Sequence, residues 1–83
     1  MKILYFAWLR ERLDRGEEDV SPPPEVKTIA DLIAWLRGRD EAADLAMQRP
    51  EIIKAAIDAR IVAHDAPIAG AKVIALFPPM TGG

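Results

Sequence analysis

Two apolar runs stand at opposite ends of the chain, Ile3-Leu4-Tyr5-Phe6-Ala7 and Lys72-Val73-Ile74-Ala75-Leu76-Phe77. Both are short and rich in β-branched, aromatic and aliphatic residues, which reads as strand. Side chains alternate across a strand, so if Ile3 and Tyr5 point inward, Leu4 and Phe6 point outward. Apolar on both faces, the two runs gain most by lying side by side at the centre of a sheet. Everything else in the chain has to be arranged around that pairing.

The intervening sequence carries one strong helix. Thr28 supplies an N-cap, with Asp31 three positions on in a weaker form of the capping box. Ile29, Leu32, Ile33 and Leu36 then recur at helical spacing as one stripe, and Gly38 is expected to stop it. A lesser helix is expected from about Asp40 to Gln48, closed by Pro50. Earlier, Trp8 to Arg15 reads as one or two helical turns ended by Gly16, and Glu17 to Val20 as a short edge strand. Ser21-Pro22-Pro23-Pro24 is a loop, since prolines give a ladder no donors. Ile52 to Ile57 and Arg60 to Ala63 read as strands joined tightly at Asp58-Ala59, and Asp65 to Gly70 as a turn. The expectation is an α+β fold: a mixed sheet with its first and last strands paired in parallel and one main helix packed on one face.

Composition narrows the function classes. At 83 residues there is room for one core. The net charge of −2, from 11 basic and 13 acidic residues, gives no basic field for nucleic acid. The absence of cysteine excludes disulfides, thiolate metal sites and a cysteine nucleophile. No signal-peptide layout and no apolar run of membrane-spanning length is present, so a cytoplasmic protein is expected.

The chain closes on Phe77-Pro78-Pro79-Met80-Thr81-Gly82-Gly83. Pro78 and Pro79 favour an extended lead-in, and two glycines add no side-chain bulk, so the tip fits a slot too narrow for any Cβ. The expected division is a globular body over residues 1–77 and an extended reactive tail over 78–83. A frayed terminus is the competing reading of Gly-Gly alone.

Taken together, Ile3 to Ala7 followed by Leu9-Arg10-Glu11, the Thr28…Leu32…Leu36 helix and the F-P-P-x-[TS]-G-G ending resemble the small subunits of molybdopterin synthase, which have the ubiquitin-like β-grasp fold. The turn Gly70-Ala71-Lys72-Val73 departs from the family, which commonly has an acidic pair after the glycine. The resemblance implies a sulfur carrier with no self-contained active site and no stably bound cofactor. Gly83 would be adenylated by an E1-like adenylyltransferase that uses ATP, then converted to a thiocarboxylate, with Gly82 giving clearance. The sulfur would pass to a pterin precursor in the large synthase subunit, with which the carrier would form a heterotetramer. Carriers for thiamine, cysteine or tRNA thiolation, and a β-grasp interaction module without carrier chemistry, are the alternatives.

Strand parity suggests where partners dock. If Ile74 and Leu76 face the helix, Phe77 emerges beside the tail and Phe6 lies on the same outer sheet face, where the family uses aromatics for both partners. Ile61 or Val62 would complete an apolar patch, and Ile61 joins Phe6, Phe77, Pro78, Pro79, Met80 and Thr81 as a partner-binding candidate. Arg10 is added as a partner-binding candidate, a cation for an acidic residue on the partner. His64 beside Asp65 reads as a surface histidine, because no nucleophile accompanies it. Asp14, Glu17, Glu18 and Asp19 lack the ordered ligand spacing of a calcium loop and read as a hydrated acidic loop, so no metal site is expected. Trp8 and Trp35 read as partly buried packing residues.

Overall fold

The computed structural model describes residues 1–79. Its elements in chain order are β1 (Lys2–Tyr5), α1 (Ala7–Leu13), β2 (Glu17–Asp19), α2 (Ile29–Arg39), α3 (Glu41–Ala46), a 3-10 turn (Pro50–Ile52), β3 (Lys54–Ile57), β4 (Arg60–Val62) and β5 (Val73–Phe77). The five strands form one sheet in the order β2-β1-β5-β3-β4. β1 and β5 pair in parallel, Ile3 opposite Ile74 and Tyr5 opposite Leu76, while the other neighbours are antiparallel. This is the β-grasp arrangement, with helices packed on one sheet face.

The core lies between that face and the helices. Ile3, Tyr5, Ala55, Ile74 and Leu76 meet Ile29, Leu32, Ile33 and Leu36 of the α2 stripe, all buried. Thr28 and Asp31 form a full capping box: the Thr28 hydroxyl accepts from the Asp31 N–H at 3.2 Å, and the Asp31 carboxylate accepts from the Thr28 N–H at 3.3 Å. The helix enters its packing site with its first donors satisfied.

Neither glycine expected to stop a helix does so. α1 ends at Leu13 because Asp14 takes the left-handed conformation at φ 56°. Gly16 lies beyond it, its carbonyl accepting from the Tyr5 N–H at 2.9 Å. α2 runs through Gly38 to Arg39 and stops where Asp40 becomes extended. Asp40 caps the next helix, accepting from the Ala43 N–H at 2.7 Å, and that bond competes successfully with one more residue of α2. The strand expected from Ile52 begins at Lys54, because Pro50 starts the 3-10 turn instead.

A polar network joins the acidic edge strand to the helical layer. The Tyr5 hydroxyl donates to Glu18 at 2.6 Å, Arg39 contacts the other Glu18 oxygen at 3.1 Å, and Arg15 bridges Glu18 and Asp40 at 3.4 and 2.9 Å. The short edge strand expected from Glu17 is present as β2, and its carboxylates are paired rather than simply hydrated, with Glu17 also contacting Lys2 at 3.3 Å. Burial, joined by the bond to Glu18, pushes the Tyr5 phenol above its ordinary value. A raised folded-state value stabilises the protein below the unfolded phenol's value of about 10 and is lost as pH rises beyond it.

Two outcomes follow. Leu36→Ala is expected to destabilise by about 2–5 kcal/mol in urea unfolding, since Leu36 is fully enclosed. Tyr5 is the one tyrosine, so phenolate absorbance should appear during an alkaline titration only together with loss of the circular-dichroism signal. Ionisation of the folded protein at the pH of a free tyrosine would contradict the network.

Candidate functional site

The face of the sheet away from the helices is apolar and uncovered. Registers place Leu4, Ala75, Ala56 and Ile61 in one row across β1, β5, β3 and β4. Phe77 stands opposite Lys54 in the next row, at the end where β5 leaves the sheet. The Phe6 N–H donates to the Leu76 carbonyl at 3.2 Å, which carries the strand pattern past β1 and turns the Phe6 ring to this same face. Phe6 is 46% exposed and Ile61 78% exposed, while Phe77 is half-buried.

The choice between Ile61 and Val62 is settled by the hairpin before them. Asp58 and Ala59 both have positive φ, 46° and 71°, as in a mirror-image two-residue turn. That turn sets Ile57 opposite Arg60, and therefore Ile61 opposite Ala56 on the outer face and Val62 opposite Ala55 on the helix side. Asp58 also accepts from the Val73 N–H at 2.9 Å and the Lys72 N–H at 3.2 Å. The sequence that departs from the family before β5 is thus held by the β3–β4 turn.

The chain leaves the sheet under constraint. Pro78 is buried and Pro79 half-buried, so the packing of the body extends one residue past β5. Met80, Thr81, Gly82 and Gly83 lie outside the described residues. Phe6 precedes Ala7, whose φ of 55° is unusual for a residue with a Cβ, and this bend sends the chain from β1 into α1 beside the exit of β5.

Arg10 is exposed but is not brought onto the apolar face. Its guanidinium lies over the turn at Gly16, where an added Cβ would be 3.0 Å from Arg10 Cζ. It makes no ion pair among the described residues. His64 is half-buried rather than a free surface residue. Its Nε2 lies 2.6 Å from the Ile53 carbonyl oxygen, and a carbonyl can only accept, so Nε2 carries the proton. Trp8 and Trp35 are half-buried, each beneath an arginine: Arg12 at 4.4 Å and Arg39 at 5.0 Å from the ring centre.

Chemically, the outer face offers apolar area with Lys2, Glu17 and Lys54 along its strands. Among the described residues it brings no nucleophile and base together. Uncovered apolar faces of this kind are what protein partners bury. Ile61→Ser is expected to change stability by no more than about 0.5 kcal/mol in thermal or urea unfolding, because the side chain is already in water. A large loss would mean that Ile61 supports the fold.

Against known proteins, the sequence model described as the ThiS family matches residues 3–83. The molybdopterin synthase sulfur carrier subunit of Escherichia coli (strain K12) is 28% identical over 83 residues, covering 100% of this chain and 99% of that one. Among solved structures, SAMP1 from Haloferax volcanii superposes with a TM-score of 0.73 at 24% identity, over 100% of this chain and 98% of the other. A putative molybdopterin converting factor, subunit 1, from Pyrococcus furiosus gives 0.61 at 23% identity, over 95% of each chain. The two structures share this fold.

Proposed function

The chain belongs to the ThiS family of β-grasp sulfur carriers, and from that premise we propose that it is the sulfur-carrier subunit of a molybdopterin synthase. The observation that carries this reading is the ending Phe77-Pro78-Pro79-Met80-Thr81-Gly82-Gly83 on a body of carrier fold. The full-length likeness to a molybdopterin synthase sulfur carrier supports the same pathway.

The chemistry begins with a poor acyl donor. The Gly83 carboxylate attacks the α-phosphorus of ATP on an E1-like adenylyltransferase, releasing pyrophosphate and leaving an acyl-adenylate. A sulfur donor then displaces AMP at the carbonyl carbon, and the tail ends as a thiocarboxylate. That group is ionised and nucleophilic without a basic side chain beside it, which suits a chain with no cysteine and one histidine. Inside the large synthase subunit its sulfur is transferred to a pterin precursor, and the carboxylate is regenerated with oxygen from water. Gly82 leaves the approach to Gly83 unobstructed. Acid, base and metal belong to the partners; the carrier supplies the reacting group and a surface to hold.

In this reading Phe6, Ile61 and Phe77 form the docking surface, and Pro78, Pro79, Met80 and Thr81 lead the tail into the partner. Arg10, folded over Gly16, contributes at the margin of the contact.

The test is intact mass after incubation with the adenylyltransferase, ATP and a sulfur donor. The expected result is replacement of one oxygen by sulfur in the Gly83 peptide, followed by discharge onto the pterin precursor when the large subunit is added. Gly82→Ala is expected to slow thiocarboxylation by up to about a hundredfold, the effect of a displaced reacting group. Thiolation without discharge would assign the chain to a different acceptor pathway. Retention of partner function after deletion of Gly82 and Gly83 would make it an interaction module.

A further inference from the structure

A second surface with exposed apolar side chains, interspersed with polar ones, lies on the helical side, away from the sheet face. Trp8 and Arg12, one turn apart on α1, face Leu45 of α3 across a groove of about 310 Å³. Its floor continues through Gln48 and Arg49 to Ile52 in the 3-10 turn. Leu45 is 57% exposed, one of three large apolar side chains left in water among the described residues; the other two are Phe6 and Ile61 of the sheet face. The core does not need Leu45, because α3 turns Ala43, Ala46 and Met47 inward instead.

The charge of the groove has one sign. Its two ionised side chains, Arg12 and Arg49, are both cations in a chain of net charge −2. Arg12 makes no ion pair among the described residues and is held against the Trp8 ring at 4.4 Å. With no such ion pair of its own, that guanidinium has N–H donors open to a carboxylate. Arg49 contacts Glu51 at 3.3 Å, but both side chains are largely in water, so that pair exchanges readily for another.

We propose that this groove docks a protein segment presenting a large apolar side chain flanked by carboxylates. The apolar side chain fits between Trp8, Leu45 and Ile52, and the carboxylates meet Arg12 and Arg49. Apolar side chains from Trp8, Leu45 and Ile52 with only two cations favour such a segment over a nucleic-acid backbone, which needs a run of cations and aromatic faces it can stack on. One wall of the groove is α1, which starts from Phe6 as its N-cap. The proposal stands apart from the chemistry at Gly83, since the groove and its charges belong to the body.

The experiment is a titration of the ¹⁵N-labelled full chain followed by NMR. The first probe is a synthetic peptide with a central phenylalanine flanked by glutamates, and the second has lysines in place of those glutamates. Phosphatidylserine–phosphatidylcholine vesicles are the third. The glutamate peptide is expected to shift the Trp8 indole and the Arg12, Leu45 and Arg49 amides saturably, leaving the Trp35 indole unmoved. The double variant Arg12→Glu, Arg49→Glu should weaken that binding at least tenfold with the rest of the spectrum intact, and Arg12→Lys, Arg49→Lys should restore part of it. Absence of a saturable shift, an equal response to the lysine peptide, or a response confined to the sheet face would overturn the proposal. A response to vesicles but not to the glutamate peptide would overturn it in favour of an anionic lipid surface.

Discussion

The parallel contact between β1 and β5 holds the molecule together. β2 is attached to the sheet only through β1, and β4 only through β3, which itself pairs with β5. Without the central pair the sheet falls into pieces of two or three short strands, which are marginal alone. The residues at the join, Ile3 with Ile74 and Tyr5 with Leu76, are almost wholly excluded from water. Parallel neighbours need a long crossover, and here its helices cover one face of the sheet. The other face stays open as a consequence of the topology, so its exposed apolar side chains are not a packing defect.

Much of this was legible in the sequence. The terminal apolar runs, the α2 stripe and the Thr28 cap each follow from local periodicity or side-chain chemistry, and all stand in the structure. The helix ends were not legible, because Gly16 and Gly38 signal termination while the outcome was decided by Asp14 and by Asp40, which is better used capping α3. The orientation of Ile61 depended on a turn built from Asp58 and Ala59, and alanine gives no warning of a positive φ. The hydrogen bond of His64 to Ile53 joins residues eleven positions apart, beyond any local pattern. The groove at Leu45 was hidden for the same reason: Arg12 and Leu45 come from α1 and α3, and Arg49 joins them from the start of the 3-10 turn.

The body is thereby divided by task. Its interior is apolar, and the buried Tyr5 hydroxyl is satisfied by Glu18, which two arginines bracket. In the proposed function the reacting group is placed outside this body, beyond the buried Pro78. The two surfaces proposed for recognition differ in electrical character: a broad sheet face and a narrower groove flanked by Arg12 and Arg49. Phe6 belongs to the first of them, being both the last side chain of the strand pattern and the residue from which α1 starts.

An open apolar sheet face would ordinarily invite the sheet to grow from molecule to molecule. The two borders answer this differently from the face itself. β2 is three residues long and wholly acidic, Glu17-Glu18-Asp19, and β4 is equally short and begins with Arg60. A strand from another copy laid along β2 would gain few backbone bonds and set its own side chains among carboxylates. Lateral polymerisation is thus discouraged at both ends of the ladder, while the face remains available. Growth along the ladder and burial of the face are separate events, and only the first is opposed by the edges of this sheet.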